Sequence, residues 1–241
     1  MATKRSTKTI PSEFGEPFLR WLGAATEQAW SRVSEPTLAE FERNGAGGCD
    51  WRRGTRWTGG LSDAELAELE RRHEVRFPAE QRLFLQVLHA TEPRMFRAGF
   101  DDDGRLVADE SPGFYHWQRD EAAIRAAFEQ VIDGLVFDVE NNALWRDSWG
   151  ARPGDADERR ARVAALVADA PRLLPIYGHR YVLADGPSLV LSVWQSDIIV
   201  YGRDLRDYLL HELHALIGVK YAWPGGHVDT AAIPFWGELI G

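Results

Sequence analysis

Sulfur is scarce in this chain. Cys49 is its one cysteine, and two methionines stand among 241 residues. One thiol closes no intrachain disulfide and cannot build a four-cysteine zinc site. Such usage predicts a reducing compartment, here the cytoplasm. Long apolar runs are missing too: no stretch approaches the ~18 consecutive apolar residues of a membrane span. The opening Met1–Thr9 carries Lys4, Arg5 and Lys8 with no apolar run behind them. It reads as a solvated tail and not as a secretory signal. Positive charge is in deficit, with 28 Lys and Arg against 37 Asp and Glu, a net of −9. That balance argues against a protein that grips phosphate backbones. The nucleophile elbow Gly-x-Ser-x-Gly, the phosphate loop and Gly-x-Gly-x-x-Gly are all absent. No catalytic set and no cofactor motif follows from the sequence, and the reading is of a chain that is not an enzyme.

What is plentiful is tryptophan: ten residues, in a chain that is otherwise 44% apolar and 27% charged. That is ordinary globular composition. Charge is unevenly placed. Residues 1–60 hold nine basic and seven acidic side chains, whereas the remainder holds 19 and 30, a net of −11.

Periodicity orders the chain. Phe14, Phe18, Trp21, Leu22, Ala25, Ala29, Trp30 and Val33 recur at steps of three and four, which predicts a helix over 12–33. A short helix through Leu38 and Phe41 stops at Asn44–Gly48. Residues 49–60 read as a loop. Ser62 and Glu65 form a capping box that starts a helix over 62–74, and Pro78 opens the next one. Residues 94–100 and 105–110 flank Asp101-Asp102-Asp103-Gly104 and predict a β-hairpin. Helices are predicted over 119–132 and 156–169, with Leu135–Val139 readable as helix or strand. Four short apolar runs between 173 and 201 then predict a meander, and Leu205–Ile217 a final helix. The tail through Trp236 is irregular but too aromatic to stand free. Helices first and clustered strands later indicate α+β architecture.

Several patterns invite a chemical reading and a plainer one. His211 and His214 are three apart, not the four of a zinc-protease helix, and no third ligand is identifiable. They are read as part of a helix face, and no metal site is assigned. Asp101–Glu110 resembles a fragment of a calcium loop, but its first ligand position falls on Gly99; the hairpin turn is the better reading. Trp51-Arg52-Arg53-Gly54-Thr55-Arg56-Trp57 interleaves bases and rings as a nucleic-acid loop would. On an acidic protein, its tryptophans are read as core packing. One group remains: Trp149, Tyr177, His179, Arg180, Trp194, Asp197 and Tyr201, aromatic and charged residues several of which fall at strand ends. Aromatics and Arg supply large rigid area together with hydrogen bonds, so these seven are the candidate partner-binding residues.

Gly60-Leu-Ser-Asp-Ala-Glu-Leu-Ala-Glu-Leu-Glu70, followed by Phe77-Pro-Ala-Glu-Gln-Arg-Leu-Phe-Leu85, resembles the SMI1/KNR4 (SUKH) superfamily. Pro175–Tyr181 and Val193–Ile199 are similar to that family's central strands. The resemblance covers about residues 57–216. An Asn-Gly often found between the family's two helices is replaced by His89-Ala-Thr-Glu92. The resemblance implies an α+β fold in which N-terminal helices pack on a mixed or antiparallel sheet of about six strands. A C-terminal helix and an irregular tail complete it. The domain would span 58–241, with 1–57 as an N-terminal helical extension of one compact unit. Bacterial members are immunity proteins that neutralise polymorphic toxins; fungal members are scaffold-like regulators. The family has no established catalytic residues, so none transfers. The expected function is binding of a protein partner, such as a basic toxin domain, without catalysis, cofactor, nucleic acid or membrane. The alternative expectation is a regulator that binds a small molecule or peptide on the Tyr177, Arg180, Trp194 and Asp197 face.

Overall fold

The computed structural model describes residues 10–224 and 228–241; the basic segment 1–9, read above as a solvated tail, lies outside them. Helix α1 (Glu16–Trp30) buries Phe18, Leu19, Leu22 and Trp30. It is shorter than the predicted 12–33 because Pro17 occupies its first turn, where a missing N–H costs nothing. Helix α2 (Leu38–Asn44) carries a Thr37–Glu40 capping box and ends at Gly45 with φ 64°. The region read as a loop holds two short strands, β1 (Gly48–Asp50) and β2 (Arg56–Trp57). At three and two residues they are too short for alternation to reveal. Helix α3 (Asp63–His73) has the predicted capping box: the Glu65 amide donates to Ser62 Oγ, and the Ser62 amide donates to Glu65 Oε2 at 2.8 Å. Helix α4 (Ala79–Val87) follows Pro78.

Strand β3 (Thr91–Glu92) leads to the hairpin of β4 (Met95–Phe100) and β5 (Leu106–Ser111). Its turn is closed by the Asp101 carboxylate, which accepts from the amides of Asp103 and Arg105, with Gly104 at φ 75°. Helix α5 runs without a break from Glu121 to Asn141. The ambiguous 135–139 stretch is helical because Leu135 and Val139 continue the buried stripe of Ile124, Ala127 and Val131. Helix α6 (Ala156–Asp169) and the meander β6 (Leu173–Tyr177), β7 (Arg180–Leu183), β8 (Val190–Trp194) and β9 (Asp197–Gly202) match their predicted positions. Helix α7 (Leu205–Ile217) starts on the Asp204 side chain and stops at Gly218.

The architecture is α+β. In place of one sheet of about six strands, the described strands form three antiparallel sheets, ordered β1-β4-β5, β2-β3 and β6-β7-β8-β9. A Phe114–Tyr177 bridge links the chain after β5 to the edge of the meander. Alternation along β7 divides the meander's two faces. Tyr181 points to α5, where its hydroxyl donates to the Ala127 carbonyl at 2.8 Å, and Arg180 points to Glu212 of α7. Helix α1 packs on α7, α4 and β2.

One core runs from Phe18 to Leu239. The residue-57 boundary falls inside it: Trp57 lies against Trp30, Phe84 and Phe114, and its Nε1 donates to Thr26 Oγ1 at 2.9 Å. The aromatic tail packs as its composition predicts, with Ile233, Trp236 and Leu239 buried and Trp236 Nε1 bonded to the Pro171 carbonyl. Among the described residues no helix is long and apolar enough to cross a membrane.

Removing the α3 cap should cost about 1 kcal/mol. In urea unfolding, Ser62→Ala is expected to lower the midpoint with an unchanged slope and an unchanged native far-UV spectrum. No shift in the midpoint would contradict the capping role.

Candidate binding site

Arg180 opens β7, opposite Ser192 on β8. Its Nη1 donates to Ser192 Oγ at 2.9 Å, its guanidinium carbon lies 3.9 Å from the centre of the Tyr201 ring, and its Nε is 3.7 Å from Glu212 Oε2. Both charged side chains are largely shielded, at 14% and 16% exposure. Burial pushes the Glu212 carboxyl above the usual carboxylate range, while the Arg180 charge pulls it back down. Among the described residues, Glu212 Oε2, Arg180 Nε and the Tyr208 hydroxyl are buried without a hydrogen-bond partner. The Ser192 hydrogen bond, the cation–π contact and the ion pair hold Arg180 in place, and the ion pair orients Glu212. The stack continues outward. Tyr201 and His211 lie 4.1 Å apart at 20°, and His211 and Tyr221 lie 5.0 Å apart at 9°. Tyr221 donates to Asp207 at 2.9 Å. The result is a four-layer pile of guanidinium, phenol, imidazole and phenol.

Beyond that pile the sheet face is open. Ser192 pairs with Ile199 and Trp194 with Asp197, so all four share the Arg180 face by strand alternation. Trp194 is 56% exposed and Ile199 41%. His179, in the β6–β7 turn, meets the Trp194 ring edge to face at 5.7 Å. Burial, with a smaller push from Arg180, lowers the His179 pKa to about 4, which leaves it neutral at pH 7. The β8–β9 turn is anchored from α5: Asp138 accepts from the Ser196 amide at 2.8 Å. Gly134 allows the close approach, since a Cβ there would lie 2.9 Å from Gln195 Cα. A wide indole is thus presented on a fixed turn beside an aliphatic and an acid.

Six of the seven candidate residues fall on or beside this face. Arg180 and Tyr201 form its inner pile, and His179, Trp194 and Asp197 its rim. Tyr177 sits behind them, stacked on Trp51 and against Phe114, where burial raises its phenol pKa. Trp149 does not join them. It is 1% exposed, wedged against Trp145 and Phe235, and has no surface to offer a partner. Glu212, Tyr208 and Ser192 were not singled out from sequence. A signal existed: Tyr208 and Glu212 are four apart and flank the Leu205-Leu209-Leu213 stripe, so both turn inward.

The other motifs take the plainer course. His211 Nδ1 bonds the Tyr201 carbonyl and His214 Nδ1 the His211 carbonyl, and among the described residues no group of three or more His, Cys, Asp or Glu could hold a metal ion. Trp51 and Trp57 pack on the core. Comparison with protein families, with curated proteins and with solved structures finds no match to this chain.

Two results are expected. Arg180→Ala strands a buried carboxylate and should destabilise the fold by about 3 kcal/mol, while adding Glu212→Gln recovers most of that loss. Additive costs in a double-mutant cycle would contradict the pairing. Folding also depresses His179 to about 4 and the buried His89 to about 3, from an ordinary 6.5. Their contribution to stability is present above pH 6.5 and is lost as pH falls toward about 4 for His179 and about 3 for His89, because the unfolded chain takes up protons first. Ring-proton NMR should show both imidazoles unprotonated at pH 5.5, and His179→Gln should flatten the fall of the urea midpoint between pH 6.5 and 4. Titration of either ring near 6.5 would contradict the assignment.

Proposed function

We propose that this chain is a non-enzymatic protein-binding domain of the SMI1/KNR4 type, acting in the cytoplasm as an immunity-like protein. Its partner is a basic protein, such as a toxin domain with a positive phosphate-binding cleft, and not a nucleic acid or a membrane. The observation that carries the reading is the half-exposed Trp194 beside Ile199, on a sheet face that α7 covers only in part. A rigidly mounted indole that stays in water in the free chain is the kind of side chain that dominates binding energy when covered. Charge supports the choice of partner. An excess of nine negative charges steers a basic surface toward this one and repels phosphate backbones. The half-buried pile of Arg180, Tyr201, His211 and Tyr221 supports the rim without taking part in chemistry.

A small-ligand reading draws on a different place. A cavity of about 270 Å³ lies between α5 and α6, lined by Phe128, Ile132, Val167, Leu173 and Trp236. Saturable quenching of tryptophan emission by an apolar ligand, lost in Ile132→Trp, would favour it.

The test of the main reading is affinity capture from the native host with wild-type chain and with Trp194→Ala as baits of matched stability. A basic protein recovered in stoichiometric amount by the first and lost by the second is expected. Equal recovery by both baits, or no protein partner at all, would overturn the proposal.

A further inference from the structure

We propose that β5 is an open sheet edge that takes up an extended, basic segment of a partner protein as an added strand. The inference goes beyond the Trp194 surface and does not rest on it, so either can fail alone.

The meander's edges are both occupied. Phe114 bridges to Tyr177 on β6, with the Tyr115 amide donating to the Ile176 carbonyl, and Ile240 bridges to Ile198 on β9, with the Gly241 amide donating to the Ile198 carbonyl. The β1-β4-β5 sheet ends differently. β5 pairs with β4 through six consecutive residue pairs with no bulge, and among the described residues its other side pairs with no strand. The Asp101 amide donates to the Arg105 carbonyl at 2.9 Å, which fixes that pair as hydrogen-bonded. Bonded and non-bonded pairs alternate along an antiparallel ladder. Gly99–Val107 and Arg97–Asp109 are then bonded pairs, and the main-chain groups of Leu106, Ala108 and Glu110 point away from β4. Among the described residues nothing else bonds them. Val107 to Glu110 are exposed on both faces of the strand.

Edge strands are usually blunted by charged side chains, a Pro, a bulge or a covering helix. β5 has no Pro and no bulge, it stays exposed from Val107 to Glu110 although α2 approaches it, and its charges are the acids Asp109 and Glu110; its outward row of three donors and three acceptors matches a strand of ordinary length. Charge selects the occupant. The hairpin carries Asp101, Asp102, Asp103, Asp109 and Glu110 against Arg97 and Arg105, and Arg52 from the preceding loop reaches Glu110 at 3.2 Å. An excess of two negative charges remains. A second copy of the same edge would set acid against acid, whereas a strand with Lys or Arg on alternate positions would place its cations on one face, beside Asp109, whose present partner Arg97 is 3.8 Å away and 53% exposed.

The experiment is amide hydrogen exchange by NMR on the whole chain, using a capped alternating Lys-Val heptapeptide and a Lys-Pro peptide of equal charge. In the free chain the amides of Leu106, Ala108 and Glu110 should exchange fast and those of Val107 and Asp109 slowly. The Lys-Val peptide at millimolar concentration should slow the first three by about tenfold, a shift of ~1.4 kcal/mol, and the Lys-Pro peptide should not. Ala108→Pro, at an outward N–H where an edge strand tolerates proline, should abolish the effect with the fold retained. Asp102→Asn with Asp109→Asn should raise the peptide concentration needed several-fold. The proposal is overturned if the three amides are already protected in the free monomer, or if protection grows with protein concentration alone. It is equally overturned if both peptides act alike or if neither acts.

Discussion

The indoles of Trp30, Trp51 and Trp57 meet at a point that five segments share. Trp30 of α1 lies 4.9 Å from Trp51 and 5.6 Å from Trp57. Trp57 reaches Phe84 of α4 and Phe114, and Trp51 stacks on Tyr177 of β6. Rings of this size bury large rigid areas and pack only in a few geometries, so the contact fixes segments that strands of two or three residues could not fix by hydrogen bonds. Close approach is built in at Gly113, where a Cβ would meet Thr91 Oγ1 at 2.3 Å and the Trp51 ring at 2.7 Å. The excess of tryptophan is thereby explained. Most of the ten rings bind irregular chain to the body, and only Trp194 and Trp223 stay large and exposed.

From that aromatic contact the chain leads directly to the candidate site. Tyr177 is held by Trp51 and Phe114, and the next three residues are the turn that carries His179 and Arg180. Arg180 is in turn gripped by Tyr201, Ser192 and Glu212. A buried ion pair is weak evidence for stability, because desolvation offsets much of its Coulomb energy. Its role here is orientation: it fixes the start of β7 against α7 and leaves the far half of the sheet face uncovered. The exposed Trp194 depends on that division of the face.

Much of this was legible beforehand for specific reasons. The capping box at Ser62 and Glu65, the Asp-Gly turn at Gly104 and the 205–217 stripe are local signals that tertiary context did not override. The splitting of the strands into three sheets was not legible, because β1, β2 and β3 are defined by distant partners and not by their own alternation. Six of the seven candidate side chains lie on or near one face because strand ends in a meander return to the same edge. Trp149 misled, since a loop tryptophan reads the same whether it faces water or Phe235. Glu212 was hidden by its neighbours His211 and His214, whose spacing drew attention to metal chemistry.

The central claim is that the open half of the β8–β9 face is a surface for a protein partner. Hydroxyl-radical footprinting of the complex against the free chain tests it most directly, with oxidation read residue by residue. Trp194 is expected to lose most of its reactivity in the complex while the exposed Phe137 on α5 keeps its own. Unchanged oxidation of Trp194 in a saturated complex would contradict it.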